Sequence, residues 1–180
     1  MPEGDVSIDR SLIYQSQPRL SMMWGYSAAR FRPGPVRGER TRMQPFRMLE
    51  HTADIGFEAF GATRQEVFRN AGRALMHLMV DLETIASREG KPLGAEASDM
   101  PSLLVNWLSE ILYFFDAEGW LFRDFEFDAL TERSLTATAR GEKFDRQKHQ
   151  VKLLVKAVTY HQLELVKTAE GWRAQVYVDI

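Results

Sequence analysis

The chain has 180 residues, 44% of them apolar and 27% charged, with a formal net charge of −2 and no cysteine. Such a composition belongs to a globular protein with enough residues for one core, and it excludes disulfides, thiolate metal ligands and cysteine nucleophiles. No apolar run reaches the roughly 20 residues of a membrane span, and the N-terminus lacks the basic, apolar, small-residue order of a secretory signal, so the cytoplasm is the expected location and no membrane partner is expected.

Residues 1–44 differ from the rest. They carry seven arginines against four acidic residues, net +3, whereas the remainder has 16 basic against 21 acidic residues, net −5. Pro33-Gly34-Pro35 and Gly38 interrupt any helix and no periodic apolar face runs through the segment, so it reads as a poorly ordered basic tail or an upstream extension ahead of Met43. RNA binding by its arginines and a transit peptide are the competing readings, the latter opposed by Glu3, Asp5 and Asp9. The folded domain is expected over residues 45–180.

Phe46 to Glu50 and Ile55 to Phe60 read as short strands around a Thr52-Ala53-Asp54 turn. Thr63 followed by Glu66 is a capping box, opening a helix to about Val80 whose Val67, Phe68, Ala71, Leu75, Leu78 and Met79 recur at helical spacing. Residues 83–97, with Gly90, Pro92 and Gly94, read as a loop or one weak strand. Ser98 or Asp99 caps a second helix with Pro101 in its first turn, a broad apolar face including Trp107 and Phe115, and Gly119 as its stop. The period then becomes two over Leu121–Asp128, Ser134–Glu142, Leu153–Tyr160, Leu163–Lys167 and Trp172–Val178, the last pair forming a hairpin across Thr168-Ala169-Glu170-Gly171. Two core-facing helices on a mainly antiparallel sheet make the fold class α+β.

Neither GxxxxGK nor GxGxxG occurs, and neither GxSxG nor HExxH, so no phosphate-cradling loop, nucleophile elbow or metalloprotease site is indicated. His77 is read as a surface or boundary residue, His149 as solvated in a polar loop, and Tyr160 as packed. Chemistry concentrates in two distant places, His51-Thr52-Ala53-Asp54-Ile55-Gly56 and Val176-Tyr177-Val178-Asp179-Ile180. If the last strand lies beside the first segment, the side chains of Asp54 and Asp179 and the main-chain carboxylate of Ile180 converge into an all-oxygen cluster of the kind Ca²⁺, Mg²⁺ or Mn²⁺ prefers. The alternative is that Asp54 caps its own turn and the chain end frays. Lys156 either pairs with this cluster, presents a cation to a partner's phosphate, or is a solvated strand lysine. His161 is a proton shuttle, ligand or partner contact, or else a hydrogen-bonded structural residue. Lys143, within Gly141-Glu142-Lys143-Phe144-Asp145, is a further candidate for a partner or phosphate contact.

From Phe46 to Ile180 the sequence strongly resembles archease, the small cofactor of RtcB-type RNA ligases. The resemblance rests on His51 to Gly56, on Leu103-Leu104-Val105-Asn106-Trp107-Leu108, on Gly141 to Asp145, on Val155-Lys156-Ala157-Val158-Thr159-Tyr160-His161, and on the closing Asp179-Ile180. It implies an α+β fold and an activator without catalysis of its own, which promotes transfer of GMP onto the ligase's active-site histidine in tRNA splicing and RNA repair and meets RNA only through the ligase. It also implies a divalent metal, calcium first, held by Asp54, Asp179 and Ile180. In one place the chain departs from the family: Lys152-Leu153-Leu154 stands where many members have a small residue, a polar one and a glutamate, so an acidic group is absent. The resemblance does not reach the tail. Two other classes compete with the activator: a metal-dependent phosphoesterase with His161 as its base, and a metal-stabilised chaperone or adaptor unrelated to RNA.

Overall fold

The structure is a computed structural model that describes residues 44–50 and 55–180. All but Gln44 of the expected tail, and Asp54 with the rest of its turn, lie outside the described residues. Among the described residues eight strands and two helices follow in the order β1 (Phe46–Glu50), β2 (Ile55–Gly61), α1 (Arg64–Met79), β3 (Glu89–Glu96), α2 (Met100–Glu118), β4 (Trp120–Leu130), β5 (Ser134–Lys143), β6 (Ala157–Val158), β7 (Glu164–Thr168) and β8 (Gly171–Asp179), with a 3₁₀ turn at Leu82–Thr84.

The strands make two antiparallel sheets. One has five strands in the order β1-β2-β8-β6, with β7 also pairing β8, and the other has three in the order β3-β5-β4. Both helices pack against strands of both sheets. Alternation along β2 sends Phe57 and Ala59 into the core opposite Val176 and Ala174 of β8, and leaves Glu58 and Phe60 on the other face opposite Gln175 and Arg173. Glu58 is nonetheless buried, because Arg47 and Arg173 both close on its carboxylate, Arg173 at 2.7 Å. Burial raises the Glu58 pKa, and the two guanidiniums outweigh it, so the group is held below the usual carboxylate range.

The helix signals act as expected. The Glu66 N–H donates to Thr63 Oγ1 at 3.1 Å, while the Glu66 carboxylate reaches back to the Ala62 N–H at 2.6 Å. Of the two candidate caps for α2, Asp99 is the one used, accepting from the Ser102 N–H at 2.8 Å. Gly119 ends α2 with φ 65°, the left-handed conformation that glycine adopts without penalty. Trp107 is wholly buried, its ring packed at 5.2 Å on Phe125 and its Nε1 donating to the Phe68 carbonyl at 3.3 Å.

Three expectations are corrected. The strand read over Leu153–Tyr160 is only Ala157–Val158, because the chain before it runs as irregular backbone tied to the end of α1: Val151 bridges Val80, and the Lys152 N–H donates to the Met79 carbonyl at 2.8 Å. Tyr160 is 61% exposed rather than packed, since the strand ends before it and a turn follows, with Gln162 at φ 47°. His149 is 3% exposed rather than solvated. Its Nδ1 accepts the Asp145 N–H at 2.9 Å, which leaves the proton on Nε2, 3.3 Å from the Glu142 carboxylate. Glu142, itself 8% exposed, also accepts from the Ala86 N–H at 2.6 Å and from Lys148. Burial raises its pKa, but these three donors prevail and hold it at about 2. The cluster ties the loop after β5 to the segment before β3.

Candidate metal centre

The end of β8 is built into the sheet on both sides. Ile55, the residue directly after Asp54, pairs with Val178, the residue directly before Asp179, while on the other side Ala157 pairs with Asp179 and Val158 with Val178. Asp179 is therefore the last residue of a strand flanked by β2 and β6, and not a frayed end. Side-chain alternation puts it on the same face as Tyr177 and Gln175, away from the core residues Val176 and Val178. Asp179 and Ile180 are exposed, Ile180 to 51%. Among the described residues the Asp179 carboxylate has no hydrogen-bond or ion-pair partner, and no group of three acidic or histidine side chains gathers. Asp54 lies outside that set.

Lys156 reaches this end of the sheet twice. Its N–H donates to the Asp179 carbonyl at 2.8 Å and its ammonium to the Ile180 main-chain oxygen at 3.0 Å. The ammonium is thus a stand-in cation, already on one of the oxygens expected to bind a metal, and the donor chemistry fits a hard divalent ion.

His161 lies on the same face. Its ring packs edge-on against Tyr177 at 5.7 Å, its N–H donates to Thr159 Oγ1 at 3.3 Å, and its Nε2 is 3.0 Å from Gln162 Nε2. Thr159 in turn donates its N–H and its hydroxyl to the Tyr177 carbonyl, at 3.1 and 3.0 Å, continuing the β6–β8 pairing by one residue. Lys143 belongs elsewhere, on the three-stranded sheet. Its ammonium donates to the Glu118 carbonyl at 2.6 Å, at the C-terminus of α2, and stands 4.9 Å over the Trp120 ring. Leu154, in place of the acidic residue, is half-buried.

Sequence reading missed one residue of this face. Tyr177 is buried on the outer side of the sheet because its ring lies across Gly56, its partner in β2. A glycine inside a strand opposite an aromatic residue is the signal that could have found it. An open cleft of about 330 Å³, lined by Phe60, Thr168, Trp172, Arg173 and their neighbours, sits at the other end of β8 and plays no part in this arrangement.

The model of the Archease protein family (MTH1598/TM1083) matches residues 46–180. A curated archease of Methanosarcina barkeri is 45% identical over 139 residues, which is 75% of this chain and 95% of that protein, and one of Pyrococcus abyssi is 40% identical over 142 residues, 77% of this chain and all of that protein. The solution structure of Methanobacterium thermoautotrophicum protein 1598 superposes with a TM-score of 0.65 at 34% identity, covering 77% of this chain and 100% of that one. With its globular part matched from β1 to the end of β8, and with those relatives spanned almost end to end, the chain belongs to the archease family.

Proposed function

We propose that this chain is a metal-binding activator of an RtcB-type RNA ligase in tRNA splicing and RNA repair, acting in the cytoplasm and without ligase activity of its own. Family membership gives the reading its direction. The observation that carries it on this chain is the Ile55↔Val178 pairing. It puts the residue after Asp54 opposite the residue before Asp179, which supports the reading that Asp54, Asp179 and the adjoining main-chain oxygen of Ile180 hold one cation. Calcium suits such a cluster, because it accepts mixed carboxylate and main-chain oxygens in irregular geometry; magnesium and manganese are the alternatives. A bound ion would neutralise the two carboxylates and supply a positive centre for phosphate or carboxylate oxygens. Lys156 and His161, exposed beside Asp179, would form the rest of the ligase-facing surface, while RNA would be met through the ligase alone.

The test is multiple-turnover ligation of an RNA bearing a cyclic-phosphate end, with the ligase, GTP and divalent metal. Added protein is expected to raise the number of turnovers per ligase, and Asp179→Ala to lose that effect. Unchanged turnover with metal-loaded wild-type protein would overturn the proposal.

A further inference from the structure

Lys156 spends its two hydrogen-bonding groups on neighbouring residues of one strand end, and they do different work. The main-chain N–H to Asp179 belongs to the β6–β8 ladder and fixes where Asp179 stands. The ammonium at 3.0 Å from the Ile180 oxygen contributes charge, on a side chain and a terminus that are both exposed. An exposed contact of this kind is weak and exchanges readily with water. A divalent ion on the same oxygen, at the roughly 2.4 Å of a calcium ligand, would stand no more than about 5.4 Å from that ammonium. Two cations that close repel even when screened.

We infer that Lys156 is the internal counter-cation of this oxygen cluster and that it competes with the metal: loading the ion releases the lysine ammonium from Ile180 to solvent. The inference rests on the reading that Asp54, Asp179 and Ile180 hold a divalent cation. Linkage fixes its sign. Whatever the ammonium gains at Ile180 in the metal-free protein must be given up when the metal binds, so removing the ammonium strengthens metal binding by the same factor. A lysine that merely ordered the strand end would act the other way, its loss weakening metal binding. The two roles separate because Lys156→Met keeps the main-chain N–H to Asp179.

The experiment is calcium titration calorimetry on the wild-type chain, K156M, K156R and D179N, each checked for folding by circular dichroism and its unfolding midpoint. K156M is expected to bind calcium about five-fold more tightly than wild type, from the lost exposed contact and the lost repulsion together, with K156R, which keeps a cation, within about two-fold. In parallel, acetic anhydride should acetylate Lys156 of the wild-type chain faster once calcium is added, and at an unchanged rate in D179N. If D179N loses calcium binding while K156M binds calcium equally or more weakly, the competition is overturned and the metal site stands. If wild type binds no calcium, or D179N binds it like wild type, the metal reading itself fails and the competition with it.

Discussion

Gly56 joins the fold to the candidate metal centre, and a single added methyl group there should disturb both. A Cβ at this position would lie 2.5 Å from the Val176 carbonyl oxygen and 2.8 Å from Cδ1 of Tyr177, where ordinary contact begins at 3.4 Å. Strands β2 and β8 must then part locally by about 0.9 Å, or the Tyr177 ring must leave the face it covers. Overpacking of this size costs about 1–3 kcal/mol. The displaced carbonyl is three residues from Asp179 along the same strand, so a shift there would move the carboxylate proposed to bind the metal, and a loss of calcium affinity of about ten-fold, worth about 1.4 kcal/mol, is expected. Gly94→Ala is the control. On edge strand β3 its Cβ would meet only the Leu135 oxygen, at 3.4 Å, and its stability should change by less than about 0.5 kcal/mol. Urea unfolding followed by tryptophan fluorescence reads the first effect and calcium titration the second. A Gly56→Ala protein with the same midpoint as Gly94→Ala would refute the claim that close approach of Tyr177 and Val176 requires glycine at position 56.

Two further outcomes follow from buried groups. Trp107→Ala empties a site with no solvent exposure between α1, α2 and β4, and should lower unfolding free energy by about 3–5 kcal/mol in denaturant titration; Trp107→Phe, which loses mainly the long hydrogen bond to Phe68 and part of the ring, should cost clearly less. Glu142 titrates in the folded state at about 2 against an ordinary 4.5, so its contribution is fully present above about pH 4.5 and is lost as the pH falls toward 2. Unfolding free energy measured between pH 5 and 2.5 should therefore fall less steeply for Glu142→Gln than for wild type, while Glu142→Gln is already less stable at pH 7. Parallel slopes would mean that the carboxylate is not held by Ala86, Lys148 and His149.

Signals confined to a few neighbouring residues were legible in the sequence. The capping box of Thr63 and Glu66, the stop at Gly119 and the apolar spacing through Leu103 to Phe115 each fix local backbone on their own, and both helices stand where the pattern puts them. The hairpin at Gly171 is of the same kind: φ there is 139°, and a Cβ would also lie 2.4 Å from the Gly61 carbonyl oxygen. Strand β3 was ambiguous because Gly90, Pro92 and Gly94 hide its alternation, and only pairing along its whole length with Ser134 to Gly141 of β5 makes it a strand; proline is tolerated because β3 is an edge. His149 was misread because its environment is not local. The acid it faces lies seven residues back, across a loop whose own residues are polar. Tyr160 and the residues before Val158 failed for a related reason, since the stretch from Val151 to Val158 is divided between irregular backbone tied at Val151 and Lys152 to the end of α1 and two residues of strand. In the candidate site, the nearness of the two distant segments was an expectation from ligand chemistry and from the family resemblance, and the Ile55↔Val178 register gives it a physical basis. Lys156 was read three ways, and in the structure it is exposed with its ammonium 3.0 Å from the Ile180 oxygen.

The central claim is that the beginning of β2 and the end of β8 share one divalent ion, and calcium titration of Asp54→Asn, Asp179→Asn and the double variant tests it most directly. A shared ion requires one calcium per wild-type chain, a loss of at least about ten-fold in affinity from either single change, and a double variant scarcely worse than the singles, since ligands of one ion act as a unit. Calcium affinity untouched by Asp54→Asn, or two losses that simply add, would contradict it.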